Sequence, residues 1–175
     1  CIIPYTRGPI RSAPVDVAVS QAQELARRGY REIVVTGIEI ASWGADLPGK
    51  PAVTELIEAV CTAVPALRVR LGSLEPRIVT EDFCRRLSRL PNLCPQFHLS
   101  LQSGCSATLR RMRRVYTAEQ YAKVVADLRA AYGERPVSFT TDCICGFPGE
   151  TAADFEESCA FLKEIGFLKV HVFPY

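Results

Sequence analysis

The chain has 175 residues, 48% of them hydrophobic and 23% charged, with a formal net charge of +2. That is enough for one domain with a sizeable core, and the charge is too even to argue nucleic-acid binding by itself. No run of about 18 apolar residues exists, so no membrane-spanning helix is expected, and no signal-peptide pattern is present. Eight cysteines lie at 1, 61, 84, 94, 105, 143, 145 and 159, with no C-x-x-C pair, so neither a zinc ribbon nor a thioredoxin-like site has support. A secreted disulfide scaffold does not fit a chain of this length and periodicity; a reducing cytoplasm does, with most thiols packed as small hydrophobes.

Taken in order, the chain opens on Cys1-Ile-Ile-Pro-Tyr-Thr-Arg-Gly8, followed by a loop over 9–13. Ser12 before Pro14 reads as a helix start, Val15, Ala18, Val19, Ala22, Leu25 and Ala26 recur at helical spacing, and Gly29 ends the helix. Glu32-Ile-Val-Val-Thr-Gly37 reads as a buried parallel strand, and 38–50 as a long connection. A helix with Val53, Leu56, Ile57, Val60 and Val64 on one stripe leads to a strand over Leu67–Ser73. Leu67, Val69 and Leu71 share one face of that strand, Arg68, Arg70 and Gly72 the other. Thr80 caps a short helix carrying Phe83, Leu87 and Leu90.

The next strand, Gln96–Gln102, places Phe97, Leu99 and Leu101 opposite His98, Ser100 and Gln102. Helical segments follow over about 105–113 and from Thr117, where Thr-x-x-Gln120 forms a capping box. Val137–Cys145 is a strand with Ser138, Thr140, Asp142 and Ile144 on one side and Val137, Phe139, Thr141, Cys143 and Cys145 on the other. After Gly146-Phe-Pro-Gly-Glu-Thr151, a helix runs to Gly166 with Phe155, Cys159 and Leu162 on its inner stripe, and Lys169–Phe173 is the last strand.

Strand–helix alternation of this kind implies a parallel sheet with right-handed crossovers. Strands of a flat sheet covered on both sides are apolar on both sides. Here three strands are apolar on one side and polar on the other, which predicts a curved α/β sheet with helices outside and a hydrophilic interior: a partial barrel. Sites in such folds form at the C-terminal strand ends. That selects Gly37-Ile38-Glu39, Ser73–Pro76, Gln102–Gly104 and Gly146–Glu150. Cys143 and Cys145 share a face with Phe139, so the pair reads as packing rather than metal binding, and Gly146–Gly149 lacks the lysine of a phosphate loop. Arg110, Arg111, Arg113 and Arg114 form the one dense basic run, a solvated face or an RNA contact.

An ordered set of segments resembles the radical-SAM methylthiotransferase family over Cys1 to Tyr175. They are Cys1-Ile-Ile-Pro-Tyr-Thr-Arg-Gly8, L-G-S-L-E-P at 71–76, H-L-x-x-Q-S-G at 98–104, the run Arg110–Thr117 and D-x-I-x-G-F-P-G-E at 142–150. The resemblance implies a partial (βα)6 barrel of the radical-SAM type whose first strand is missing from this chain, with residues 1–175 as the core domain. It implies a 4Fe–4S cluster held by three cysteines, of which Cys1 matches the third, and S-adenosylmethionine (SAM) as second cofactor. It places Gly37 beside the SAM amino group, with Ser100 and Gln102 on the interior and Asp142 and Ile144 along the adenine pocket. It further implies an N-terminal domain with a second 4Fe–4S cluster, a C-terminal RNA-binding domain, the tRNA anticodon loop as partner, an electron donor such as flavodoxin or ferredoxin, and a cytoplasmic location without membrane attachment.

Thr36-Gly-Ile-Glu-Ile-Ala-Ser-Trp-Gly44 looks like the T-G-I-x-x-x-S-Y-G stretch of members acting on threonylcarbamoyladenosine, with Trp43 in place of Tyr. Thr36, Glu39 and Ser42 offer polar atoms there. The alternatives are a sibling acting on isopentenyladenosine in tRNA or on a ribosomal-protein aspartate and, from another class, an inert piece or RNA-binding module. With one cluster cysteine of three, the chain alone is expected to be inactive.

Overall fold

Five short strands, all parallel and in chain order, organise the computed structural model, which describes residues 3–175. β1 (Glu32–Val35) pairs with β2 (Arg68–Leu71), Val34 opposite Arg70. β3 (Gln96–His98) pairs with β4 (Ser138–Cys145), and β4 with β5 (Lys169–Pro174). Isolated bridges Val69–Leu93 and Leu74–Leu99 tie the β2 side to the β3 side. No pairing between β1 and β5 occurs among the described residues, so the arrangement is an open parallel arc and not a closed barrel. That is the α/β class expected, with α2 (Val15–Arg27) leading into β1 and α3 (Val53–Ala63), α4 (Glu81–Leu87), α6 (Ala118–Tyr132) and α7 (Ala152–Ile165) joining the strands. A short first helix, α1 (Ile3–Arg7), and α5 (Ser106–Arg111) complete the element order.

The core lies between the arc and its helices. Val69, Phe97, Leu99, Leu101, Phe139 and Thr141 are all at most 1% exposed, covered by Ile57, Leu87, Tyr121, Val125 and Leu128. Two capping boxes start the long helices as read: the Thr117 hydroxyl accepts from the Gln120 N–H, and Thr151 from Asp154. Thr80 likewise caps α4 through the Phe83 N–H. No helix among the described residues is long and apolar enough to cross a membrane.

Four expectations need correction. The strand at 32–37 is not buried: Val34 is 52% exposed, because alternation puts it with Glu32 on the face away from the helices and, among the described residues, only β2 pairs with β1. The inner stripe of α7 does not include Phe155, which is 44% exposed; Ser158 and Ile165 are buried instead. Gly104 decides this, since α7 packs so close that a Cβ there would sit 2.8 Å from the Ser158 carbonyl oxygen. Ser12 does not start α2, whose N-cap is Pro14; its hydroxyl accepts from the Gly44 N–H, and its own N–H donates to Asp46. The strand expected over Gln96–Gln102 is regular only over Gln96–His98, and Gln102 beyond it is left-handed at φ +74°.

Candidate functional site

Strand alternation sends every second residue away from the helices, onto the open face of the arc. There Arg70 donates to Glu32 (3.1 Å) and to Gln96 (3.3 Å), and Gln96 donates to Thr140 (3.1 Å). His98 Nδ1 lies 3.0 Å from Thr140 Oγ1, and its Nε2 lies 3.3 Å from Asp142 Oδ2. The His171 ring on β5, opposite Asp142 in register, stands 6.2 Å from that of His98. A continuous polar ladder therefore crosses from β1 to β4, with its side chains half-buried rather than sealed. His98 and Asp142 keep 17% and 30% of their side-chain surface. Such a row stays wet enough to keep its charges and dry enough to hold a ligand.

Ser100 and Gln102 continue this face toward the C-terminal strand ends. Gln102 is backbone-pinned: its N–H donates to the Asp142 carbonyl (2.9 Å), and its carbonyl accepts from the Ile144 N–H (2.8 Å). It holds this position at φ +74°, a left-handed conformation that a non-glycine residue adopts at a cost. No side-chain hydrogen bond is formed by Ser100 or Gln102 with other described residues. The next two residues do something else. The Ser103 hydroxyl faces the Ser158 hydroxyl at 3.3 Å, and the Gly104 N–H donates to it at 2.6 Å. The motif thus divides, Gln102 at the open face and Ser103–Gly104 locked onto α7. Tyr116, its hydroxyl pushed up to about 12 by burial, donates to the carbonyls of Ser100 (2.7 Å) and Leu101 (3.1 Å) and stiffens this strand end.

The other predicted residues fall on the same rim. Asp142 and Ile144 lie along β4, beside Gln102. Gly37 follows β1 and is exposed. A Cβ at Gly37 would meet only ordinary contact, 3.9 Å from Ile40, so no steric demand of the turn requires glycine there. Gly72 differs: a Cβ would sit 2.4 Å from Thr36 Oγ1, which makes it a close-approach glycine between the ends of β1 and β2. Glu75 is paired with Arg77 at 2.6 Å. A cavity of about 610 Å³ opens beside Gly37, lined by Arg7–Ala13, Thr36–Ile40, Ser42 and Trp43, and runs down beside β1 beneath Ala22 and Leu25 of α2. Cys1 lies outside the described residues.

The stretch 36–44 is anchored rather than free. Trp43 Nε1 donates to the Ala13 carbonyl (2.9 Å), and the Ser42 hydroxyl is spent on the Glu39 carbonyl (2.9 Å). Gly44, at φ +89° with a virtual Cβ 2.1 Å from the Pro51 carbonyl, admits no side chain. Ser42 therefore shapes the loop, whereas Ile38 and Glu39 are exposed.

Four residues of the polar face escaped sequence reasoning in their roles: Gln96, His171, Glu32 and Arg70. Parity already placed Arg70 on the open face; the cross-strand register, invisible in sequence, supplied its partners. One group resembles a metal site: ligand atoms of Cys105, Asp154 and Glu157 lie within 4.8 Å of one another. Asp154 is already committed. The Thr151 N–H and the Arg111 guanidinium hold its carboxyl down at about 2, and a cation in contact opposes a second one. Burial pushes the Cys143 thiol up to about 12, in keeping with packing and not ligation.

Residues 1–162 match the family model described as the Radical SAM superfamily. Over 172 residues the chain is 40% identical to a tRNA-2-methylthio-N(6)-dimethylallyladenosine synthase of Chloroflexus aurantiacus, covering 98% of this chain and 36% of that protein. It is 38% identical to the threonylcarbamoyladenosine tRNA methylthiotransferase MtaB of Rickettsia prowazekii, covering 100% and 41%. The chain thus spans about two-fifths of the length of these curated relatives. Among solved structures, the radical S-adenosylmethionine methyltransferase TsrM of Kitasatospora setae superposes with a TM-score of 0.71 at 14% identity, over 92% of this chain and 31% of that one. Coproporphyrinogen III oxidase of Escherichia coli gives 0.61 at 17% identity, over 95% and 39%.

Proposed function

The chain belongs to the radical SAM superfamily, and from that premise we propose that its protein is a tRNA methylthiotransferase acting on carbon 2 of N6-threonylcarbamoyladenosine beside the anticodon. The observation that carries the reaction class is similarity over essentially the whole chain to proteins named as tRNA methylthiotransferases. The substrate rests on Thr36–Gly44, with Gln102-Ser-Gly-Cys-x-Ala-Thr-Leu109 also resembling that subfamily.

Superfamily membership implies a 4Fe–4S cluster and SAM. When bound, the cluster supplies the electron for reductive cleavage of SAM. Cys1 is the cluster ligand we assign in this chain, with the other two cysteines upstream. The open face fits SAM in the chemistry of its donors. Asp142, steadied by His98, is an acceptor for hydroxyl or ammonium hydrogens. Ser100 and Gln102 add neutral polar groups beside it, and Ile144 offers an apolar surface for a base. Gly37, bare for no steric reason of its own, lets a ligand reach the backbone. Below them, the Glu32–Arg70–Gln96 row satisfies its own hydrogen bonds and forms a polar floor.

In the longer protein, this chain is the core domain. The open edge of β1 takes one further strand; an N-terminal domain carries a second 4Fe–4S cluster and a C-terminal domain binds RNA; a flavodoxin or ferredoxin supplies electrons in the cytoplasm. The isolated chain, with one cluster cysteine, is inactive. In the loop 36–44, exposed Glu39 and Ile38 face the rim, and the anchored Trp43 and Gly44 set its shape. A relative named for dimethylallyladenosine is 40% identical, which keeps that sibling substrate as the second reading. Expression of the full-length protein in a bacterium lacking its own methylthiotransferases, followed by tRNA digestion and nucleoside mass spectrometry, separates the two. Methylthio-threonylcarbamoyladenosine is the expected product. Methylthio-isopentenyladenosine with unmodified threonylcarbamoyladenosine transfers the protein to the sibling class.

A further inference from the structure

α5 ends in a way that its composition does not favour. Arg113 N–H donates to the Arg110 carbonyl (3.0 Å) and Arg114 N–H to the Leu109 carbonyl (2.9 Å), the paired bonds of a Schellman termination. The residue after the cap in that motif is left-handed and is usually glycine. Here it is Arg113, at φ +57°. Gly29, Gly133 and Gly166 hold the positive-φ ends of α2, α6 and α7, so among the described residues glycine stands at those three ends and a cationic side chain at this one. Backbone cost retained at a site points toward a function for the residue that bears it.

The second observation is charge. Arg110, Arg113 and Arg114 are exposed, and none pairs with a carboxylate among the described residues. Most other arginines of the helical surface are paired: Arg27, Arg85 and Arg86 each have an acidic partner, as does Arg111. The third is position. Tyr116, two residues beyond Arg114, bonds to the carbonyls of Ser100 and Leu101, and the aliphatic stem of Arg111 would lie 3.3 Å from a Cβ at Gly149. The cationic turn therefore stands on the rim between the loops after β3 and β4, beside the open polar face.

We propose that Arg110, Arg113 and Arg114 form a phosphate-binding patch for the RNA stem that carries the target adenosine. This rests on the tRNA reading above and adds to it the residues that position the RNA backbone. Three exposed guanidiniums that pair with no carboxylate among the described residues release counterions when they meet phosphates, so they contribute affinity and salt dependence without reading sequence. They leave base recognition to the face and the loop 36–44.

The test uses the full-length, anaerobically reconstituted protein and a 17-nucleotide anticodon stem-loop RNA, with binding read by fluorescence anisotropy across a salt series. Changing Arg110, Arg113 and Arg114 together to Gln is expected to lower the salt slope by about 2–3 and the affinity about a hundredfold at 0.1 M salt, at about 0.7–0.9 of slope per phosphate contact. Changing them to Lys restores both, since a point charge suffices. Arg113→Gly is expected to raise the melting midpoint by about 2–4 °C while losing one contact's worth of slope, a split that a merely structural residue does not produce. Should the triple variant fail to fold, Arg113→Gln read by the same slope decides. RNA bound tightly by the parent and equally by the Gln variants overturns the patch and leaves the tRNA reading standing. A parent that binds no RNA overturns the tRNA reading, and the patch with it.

Discussion

Along β4, Phe139, Thr141 and Cys143 alternate with Thr140, Asp142 and Ile144. The first three are at most 3% exposed beneath the helices; the second three are half-buried on the open face. The same holds on β3 and the segment that continues it, where Phe97, Leu99 and Leu101 are fully buried and His98, Ser100 and Gln102 are not. Two regions with different tasks are thus built from the same eight or so residues of backbone. The covered side holds the arc together by apolar burial; the open side is cross-linked by hydrogen bonds from Glu32 to Asp142. The lesson is that a substitution one position away along a strand should move from a stability phenotype to a binding phenotype.

The largest expected effect is on the covered side. Leu99→Ala removes a side chain with no exposed surface and should cost about 2–5 kcal/mol in denaturant unfolding, whereas Ser100→Ala, its neighbour, should cost well under about 1 kcal/mol. Equal losses would break the division of faces. Next comes the seam where strand end meets helix. Gly104→Ala places a Cβ 2.8 Å from Phe161 Cβ and from the Ser158 carbonyl, and should cost about 1–3 kcal/mol by forcing α7 away. Gly37→Ala, whose Cβ would meet only ordinary contact with Ile40 at 3.9 Å, should leave stability within about 0.5 kcal/mol and weaken SAM binding instead.

A smaller effect reads burial through chemistry. With the Cys143 thiol raised to about 12 by burial, native protein at pH 8 holds roughly a thousandfold less thiolate there than an ordinary thiol does. Peptide mass spectrometry after a brief iodoacetamide pulse should find Cys143 unmodified until the protein is unfolded. Rapid native labelling would place it on the open side.

Much of this architecture was legible in the sequence for a physical reason: side-chain direction in a strand has period two, so parity alone sorted Phe97 from His98 and Phe139 from Asp142. The helix starts at Thr117 and Thr151 were legible because a capping box is local. What escaped was set by partners distant in the chain. The inward face of α7 depends on Gly104, 54 residues before Ser158. The anchoring of Gly44 by Ser12 spans 32 residues. The left-handed Gln102 and Arg113 carry no glycine to announce them. Within the candidate site, strand ends point to the rim loops, but the ladder from Glu32 to His98 needed the register.

The central claim is that the open face, and not the covered one, holds SAM. Its most direct test is SAM binding by equilibrium dialysis with the anaerobically reconstituted full-length protein, its Gln102→Ala and Asp142→Ala variants, and the covered-side control Val125→Ala, each with a melting curve. The expected result is affinity reduced at least about tenfold in the two open-face variants at near-unchanged melting midpoints, with the reverse pattern in Val125→Ala, whose side chain is 1% exposed. Open-face variants that bind SAM as tightly as the parent would contradict the account.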